Sequence, residues 1–132
     1  MNFALRPEHF APMKLRFYEY KNCDTCRRAK KFLEARGVAF EAIPIREQPP
    51  MRAELTRMLA VYGGEVRRLF NTSGGDYKAM QLAERLPKLS TDEALALLAS
   101  NGNLVKRPFL LTDKGGLVGF KQPEWEKLLA GQ

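Results

Sequence analysis

Cys23 and Cys26 are separated by two residues in YKNCDTCRRAKKFLEARGV (residues 20–38), and they are the only cysteines of the 132-residue chain. Three chemistries suit such a pair: a metal clip, a structural disulfide or a working dithiol. Structural zinc needs four ligands, commonly two cysteine pairs or one pair with two histidines. The sequence holds a single histidine, His9, so a closed site would have to recruit carboxylates, and no metal is expected. In redox exchange the thiolate attacks, and the unpaired N–H groups of a helix's first turn favour it. Cys23 falls where a helical pattern begins, with Arg27 and Arg28 inside the next two turns. Cys26, one turn on, can reach its sulfur and resolve a mixed disulfide. Cys23 is therefore expected as the nucleophile and Cys26 as the resolving thiol. Two small residues packing at a helix start is the plainer alternative.

Arg107-Pro108 is the second stretch with chemical promise. Pro108 immediately precedes an expected strand, where a cis peptide is tolerated, and a cis bond would turn backbone and the Arg107 side chain toward the cysteine loop. An arginine fork can donate two parallel hydrogen bonds to an oxyanion. A surface arginine ahead of a strand-opening proline is the other reading, and spacing alone does not separate the two.

These residues need elements to hold them. Residues 14–20, KLRFYEY, are aromatic and alternate in character, which predicts a strand with Leu15 and Phe17 on one buried face. Ala29, Phe32 and Leu33 recur at helical spacing and Gly37 supplies a stop. Residues 38–45, VAFEAIPI, read as a second strand, so the cysteines sit at the strand-to-helix junction of a β-α-β unit with parallel pairing. After Pro49-Pro50, Leu55, Met58, Leu59 and Tyr62 form a helical stripe ending near Gly63-Gly64. Shorter helical pieces are expected at 66–70 and 76–82, around NTSGG. Ser90 and Glu93 have capping-box spacing ahead of Leu95, Leu97 and Leu98, with Asn101-Gly102 as the stop. Phe109–Thr112 and Leu117–Phe120 flank DKGG as a hairpin, and Pro123 opens a last helix carrying Trp125, Leu128 and Leu129. The order β-α-β, helices, β-β-α predicts an α/β thioredoxin-like fold: a four-stranded mixed sheet with a helical insert between its halves.

The chain is 45% hydrophobic and 28% charged, the profile of a folded globular protein rather than a disordered one. Its length suits one domain, read as residues 14–132 behind an extension at 1–13. Arg6, Pro7, Glu8 and His9 interrupt the N-terminal apolar residues, so no secretory signal is expected, nor any membrane span, and the cytoplasm is the expected compartment. Thiols there are kept reduced, which favours a cycling pair over a permanent disulfide. A formal charge of +7 favours anionic partners. The basic residues cluster only at 27–31 and 67–68, without a base-reading motif, so direct nucleic-acid binding is not expected.

YKNCDTCRRAKKFLEARGV, EQPPMRAEL, LFNTSGGDYKAM, LSTDEALALLASNGNLVKRP and VGF together resemble the ArsC/Spx family over roughly Leu15 to Leu129. The resemblance implies a thioredoxin-like core with an all-helical insert at about Pro50 to Asn103. Glutaredoxin-coupled arsenate reductases of the family use one cysteine after the first strand, a position matched by Cys23. Its thiolate attacks arsenate, glutathione forms a mixed adduct, and arginines hold the oxyanion. Arg107, in KRP with Pro108, and Arg67, in EVRRLF, match two of these arginines. Lys121, in GFKQP, stands for a third but lacks the two-pronged geometry. The reductases commonly carry serine where Cys26 stands. The Spx branch keeps the cysteine pair as a redox switch and binds the C-terminal domain of the RNA polymerase α subunit. NCDT and LFNTSG resemble members regarded as glutathione-linked thiol reductases. The resemblance thus implies an oxidoreductase without a bound cofactor, reduced by glutathione or glutaredoxin and acting on arsenate or a glutathione-bearing substrate. A redox regulator of transcription is the alternative.

Overall fold

The computed structural model describes residues 15–130. The extension expected at 1–13 lies outside them. The chain runs β1 (Leu15–Glu19), α1 (Asp24–Ala35), β2 (Phe40–Pro44), α2 (Arg52–Val61), α3 (Gly75–Ala79), α4 (Leu82–Arg85), α5 (Thr91–Ser100), β3 (Phe109–Thr112), β4 (Gly115–Val118) and α6 (Gln122–Leu129), with short 3-10 turns at 66–69, 86–88 and 102–104. The strands form one sheet in the order β2-β1-β3-β4. β1 pairs parallel with β2, whereas β3 pairs antiparallel with both β1 and β4. Among the described residues no helix is long and apolar enough to cross a membrane.

Alternation along β1 divides the core into two layers. Leu15 and Phe17 point to one face, where they pack with Ala29 and Leu33 of α1, Leu110 of β3, and Trp125 and Leu129 of α6. Tyr18 points to the other, joining Ile43, Phe109 and Leu111 of the sheet to Leu55 and Met58 of α2 and Leu95 and Leu98 of α5. The helices between β2 and β3 therefore cover one face, and α1 with α6 cover the other. Fully burying a leucine-sized side chain is worth about 1.5–3 kcal/mol, so both layers contribute substantially.

A polar network ties α2 to β1 within the insert layer. Glu54, in the first turn of α2 and only 7% exposed, accepts from Tyr18 Oη at 2.6 Å and from Arg16 Nε at 2.7 Å, while its Oε1 also caps the Met51 backbone N–H at 2.9 Å. Arg16 Nη2 donates in turn to the Tyr18 hydroxyl at 2.9 Å. Burial, and next the bond to Glu54, push the Tyr18 phenol up to about 12. The capping box at Ser90 and Glu93 forms in both directions, at 2.8 and 3.0 Å.

The structure differs from the sequence expectation at two places. The expected helix at 76–82 is two pieces, α3 and α4, broken at Gln81, which has the left-handed φ of 54°. The second hairpin strand begins two residues early: Asp113-Lys114 alone make the turn, and Gly115 and Gly116 pair with Thr112 and Leu111. A Cβ on Gly116 would stand 2.7 Å from the Leu110 carbonyl oxygen and 2.8 Å from Met58 Cε. That glycine serves the close approach of the Leu110 backbone and of Met58 on α2 rather than a turn.

Candidate functional site

Cys23 is the N-cap of α1, with extended φ and ψ of −105° and 114°, and its Sγ accepts the Cys26 backbone N–H at 3.2 Å. The helix start thus donates directly to the sulfur that must carry charge. The Cys23 N–H donates to the Tyr20 carbonyl at 3.0 Å, which pins the loop beneath the pair. Both thiols are free; Cys23 is partly exposed and Cys26 fully buried. Burial, then the thiol hydrogen bond with Cys23, push Cys26 up to about 12, while the Tyr20 backbone N–H and the Arg107 charge pull it back toward ionisation. One thiol is presented and supplied with a donor; its neighbour is held protonated behind it.

The Arg107-Pro108 peptide is cis. The Arg107 guanidinium Cζ sits 4.9 Å from the centroid of the Tyr20 ring, and its Nη1 is buried with no hydrogen-bond partner. Arg107 therefore joins the dithiol, as its charge on Cys26 also indicates. Arg27 and Arg28 do less there than their positions in the sequence imply. Both pair with Asp24, at 3.3 and 3.7 Å, and Arg27 also donates to the Lys21 carbonyl at 2.9 Å.

Arg67 and Lys121 share a second feature. They line a cleft of about 830 Å³ between the insert and the end of β4, with Arg68, Lys106 and the rings of Phe70 and Tyr77 in its walls. Neither cysteine nor Arg107 lines it. The two regions adjoin: Lys106 of the cleft wall precedes Arg107 in the chain, and the Gly119 N–H of the same wall donates to the Pro108 carbonyl at 2.8 Å. The cleft far exceeds a tetrahedral oxyanion and is of the size that holds drug-sized ligands, about 300–1,000 Å³.

Tyr20 and Arg46 were not singled out by sequence reasoning. The Tyr20 hydroxyl accepts from Asn22 Nδ2 at 3.2 Å and Arg46 Nη1 at 2.8 Å, and the Arg46 guanidinium lies 4.8 Å from the same ring centroid as Arg107's. The Asn22 hydrogen bond first, then the charge and hydrogen bond of Arg46 and the charge of Arg107, lower the Tyr20 phenol below its ordinary range. Arg46 is 26 residues from Tyr20, and no local spacing announces the pair. Among the described residues, no group of three or more His, Cys, Asp and Glu side chains could hold a metal ion.

A cap cysteine one helical turn from a second cysteine, with a cis proline opening β3 of a β2-β1-β3-β4 sheet, is a thioredoxin-like arrangement, and residues 18–128 match the model of the ArsC family. The chain belongs to the ArsC family. It is 44% identical over 115 residues to YusI of Bacillus subtilis (strain 168), an uncharacterized protein, covering 87% of this chain and 98% of that one. The crystal structure of an ArsC family related protein from Bacteroides fragilis superposes with a TM-score of 0.83 at 42% identity, over 89% of this chain and 99% of that one. Two more distant matches carry functional names. A global transcriptional regulator Spx of Streptococcus agalactiae is 29% identical, over 78% of this chain and 74% of that one. An arsenate reductase from Vibrio cholerae superposes with a TM-score of 0.73 at 26% identity, over 89% and 97% of the two chains. This ArsC-family member thus resembles, within one fold, proteins named as enzymes and proteins named as regulators.

Proposed function

We propose that this ArsC-family chain is a thiol-dependent oxidoreductase in which Cys23 attacks, Cys26 resolves, and Arg107 holds the anionic part of the substrate beside the sulfur. Arg67 and Lys121 hold the remainder along the cleft. The observation that carries this reading is the asymmetry of the two thiols: Cys23 capped and accessible, Cys26 buried and pushed up to about 12. A matched pair would compete for the substrate; an unequal pair acts in sequence.

On a disulfide substrate the Cys23 thiolate attacks one sulfur, forms a mixed disulfide and releases the other as a thiolate. Burial first and the Cys23 thiol second hold Cys26 protonated, and the Cys23 share of that hold is then consumed. Cys26 loses its proton more readily under Arg107, attacks the Cys23 sulfur and releases the second thiolate. Two glutathione thiols, or a glutaredoxin, return the two electrons and reduce the Cys23–Cys26 disulfide. With arsenate the thiolate forms a sulfur–arsenic bond with loss of water; a glutathione thiol then attacks the Cys23 sulfur, the arsenic leaves as arsenite with the sulfur–arsenic bonding pair, and the resulting Cys23–glutathione disulfide is reduced by a second glutathione or a glutaredoxin. No bound cofactor takes part in either sequence.

Cys23→Ser abolishes turnover of arsenate and of a glutathione mixed disulfide, because an alcohol is scarcely ionised at neutral pH; retained turnover rejects the assignment. Cys26→Ser separates the routes. If Cys26 resolves, the variant accumulates a glutathione adduct on Cys23 visible by mass, whereas direct resolution by glutathione leaves the rate intact.

The presence of Cys26 and the similarity to regulators named Spx favour one second reading, a redox switch that changes affinity for the RNA polymerase α subunit. The positive charge would then steer association with an acidic surface. Retention of polymerase from cell extract that depends on the disulfide supports the switch; retention equal in both redox states supports the enzyme.

A further inference from the structure

Two guanidiniums converge on the Tyr20 ring, their Cζ atoms 4.8 and 4.9 Å from its centroid, and neither forms an ion pair among the described residues. Like charges gathered round one side chain repel, and an opposite charge nearby relieves the repulsion. The donors around Tyr20 are also in surplus. Arg107 Nη1 is buried without an acceptor. Arg46 uses one N–H on the Tyr20 hydroxyl, and that hydroxyl already accepts twice, from Arg46 and Asn22, so its own proton is left for a further acceptor. The nearest acidic residues do not complete the set. Glu19 is taken by Lys30 at 3.2 Å, and Glu47, which shares a smaller hollow with Tyr20, pairs with neither arginine. Tyr20 meanwhile reaches both cysteines through its backbone, its carbonyl holding the Cys23 N–H at 3.0 Å and its backbone drawing the Cys26 thiol toward ionisation.

We propose that Arg46 and Arg107, with the Tyr20 hydroxyl between them, form a clamp for a small carboxylate or oxyanion beside Cys23. Arg46 is the second cation of the thiol site, while Arg67 serves the cleft. The clamp rests on the reading of Cys23 as the reactive thiol, and it holds whether that thiol serves an enzyme or a switch. Two planar forks on one anion give it a fixed orientation toward the sulfur, which a flexible lysine would not.

The test compares alkylation of Cys23 by iodoacetate and by iodoacetamide, in a Cys26→Ser background so that one thiol reports. Each reagent loses iodide to the thiolate and leaves a thioether, so the rate ratio reads the carboxylate alone. Arg46→Ala is expected to lower the iodoacetate-to-iodoacetamide ratio about fivefold and Arg107→Ala at least as much, as loss of a near charge predicts. Tyr20→Phe, which keeps the ring and removes the donor, gives a smaller drop. Arg36→Ala, which removes an equal charge at the far end of α1, leaves the ratio unchanged.

An Arg46→Ala ratio equal to that of Arg36→Ala overturns the clamp. So does an equal slowing of both reagents, which would mean that Arg46 acts on the thiolate and not on the ligand. Protection of Cys23 from iodoacetamide separates the anions: protection by arsenate at low millimolar concentration marks an oxyanion site, and protection by acetate marks a carboxylate site. Turnover by Cys23→Ser would remove the oxidoreductase and leave these ratios standing, so the two proposals fail separately.

Discussion

Tyr18 and Tyr20 stand two residues apart, pack into the same core layer, and each binds arginine, yet their surroundings are opposite in character. Tyr18 is 1% exposed, donates to Glu54, accepts from Arg16 and is pushed up to about 12. Every charge in that group has its counter-charge. Tyr20 is partly exposed, accepts from two donors and is lowered, and it has two guanidiniums but no carboxylate. A closed network fastens a helix to a sheet, because everything it needs is folded into the chain. An open one lacks an anion, and it lies beside the nucleophile. The same side-chain types two residues apart therefore do structural or functional work according to whether their charge is balanced from within.

Breaking the closed network should cost the most. Glu54→Ala strips Arg16 and Tyr18 of their shared acceptor and removes the cap on Met51, so a loss of about 3 kcal/mol is expected, read as a lower urea midpoint with unchanged slope. Tyr18→Phe removes one donor from Glu54 and leaves the Arg16 pair, for an expected loss of about 1–2 kcal/mol at neutral pH. It should also flatten the alkaline limb of stability. The Tyr18 phenol is raised from 10.0 to about 12 on folding, so the folded protein retains a proton that the unfolded chain releases. Its contribution is full below pH 10 and is lost as pH rises through about 12. Phenylalanine carries no such proton, and unfolding midpoints followed across that window should fall less steeply in the variant. An identical slope in both proteins would show that Tyr18 ionises in the native state as freely as in the unfolded one.

How much of this could be read in advance follows the range of each interaction. The cysteine pair, the strand before it and the capping box at Ser90 are local patterns, and the sequence expectation matched the structure at each. β4 was misplaced because Gly115 and Gly116 look like turn residues. Gly116 is glycine because a Cβ there would stand 2.7 Å from the Leu110 carbonyl oxygen as well as against Met58 of α2, and only the folded hairpin and the packed helix reveal those approaches. Glu54 reads as an ordinary exposed acid in a helix's first turn until its partners, 36 and 38 residues upstream, are brought beside it. Arg46 is hidden in the same way, whereas Arg107 stood out because it precedes a proline at the start of an expected strand and matches a family motif. Arg67 and Lys121 were expected to bind the anionic part of the substrate, and both line the neighbouring cleft.

The smallest expected effect is the sharpest check on the contrast between the two tyrosines. Tyr20→Phe deletes the same atom as Tyr18→Phe, two residues along, but from a hydroxyl that has solvent and no buried carboxylate depending on it. Its stability should lie within about 0.5 kcal/mol of the wild type, and loss of the Arg46 hydrogen bond should be offset by water reaching the freed guanidinium. If the urea midpoint moves as far as it does in Tyr18→Phe, Tyr20 is a second fastening of the fold and the contrast between closed and open networks is lost. If it stays in place while the alkylation ratio at Cys23 drops, the hydroxyl is kept for the ligand, and its role is to be completed by something the chain does not contain.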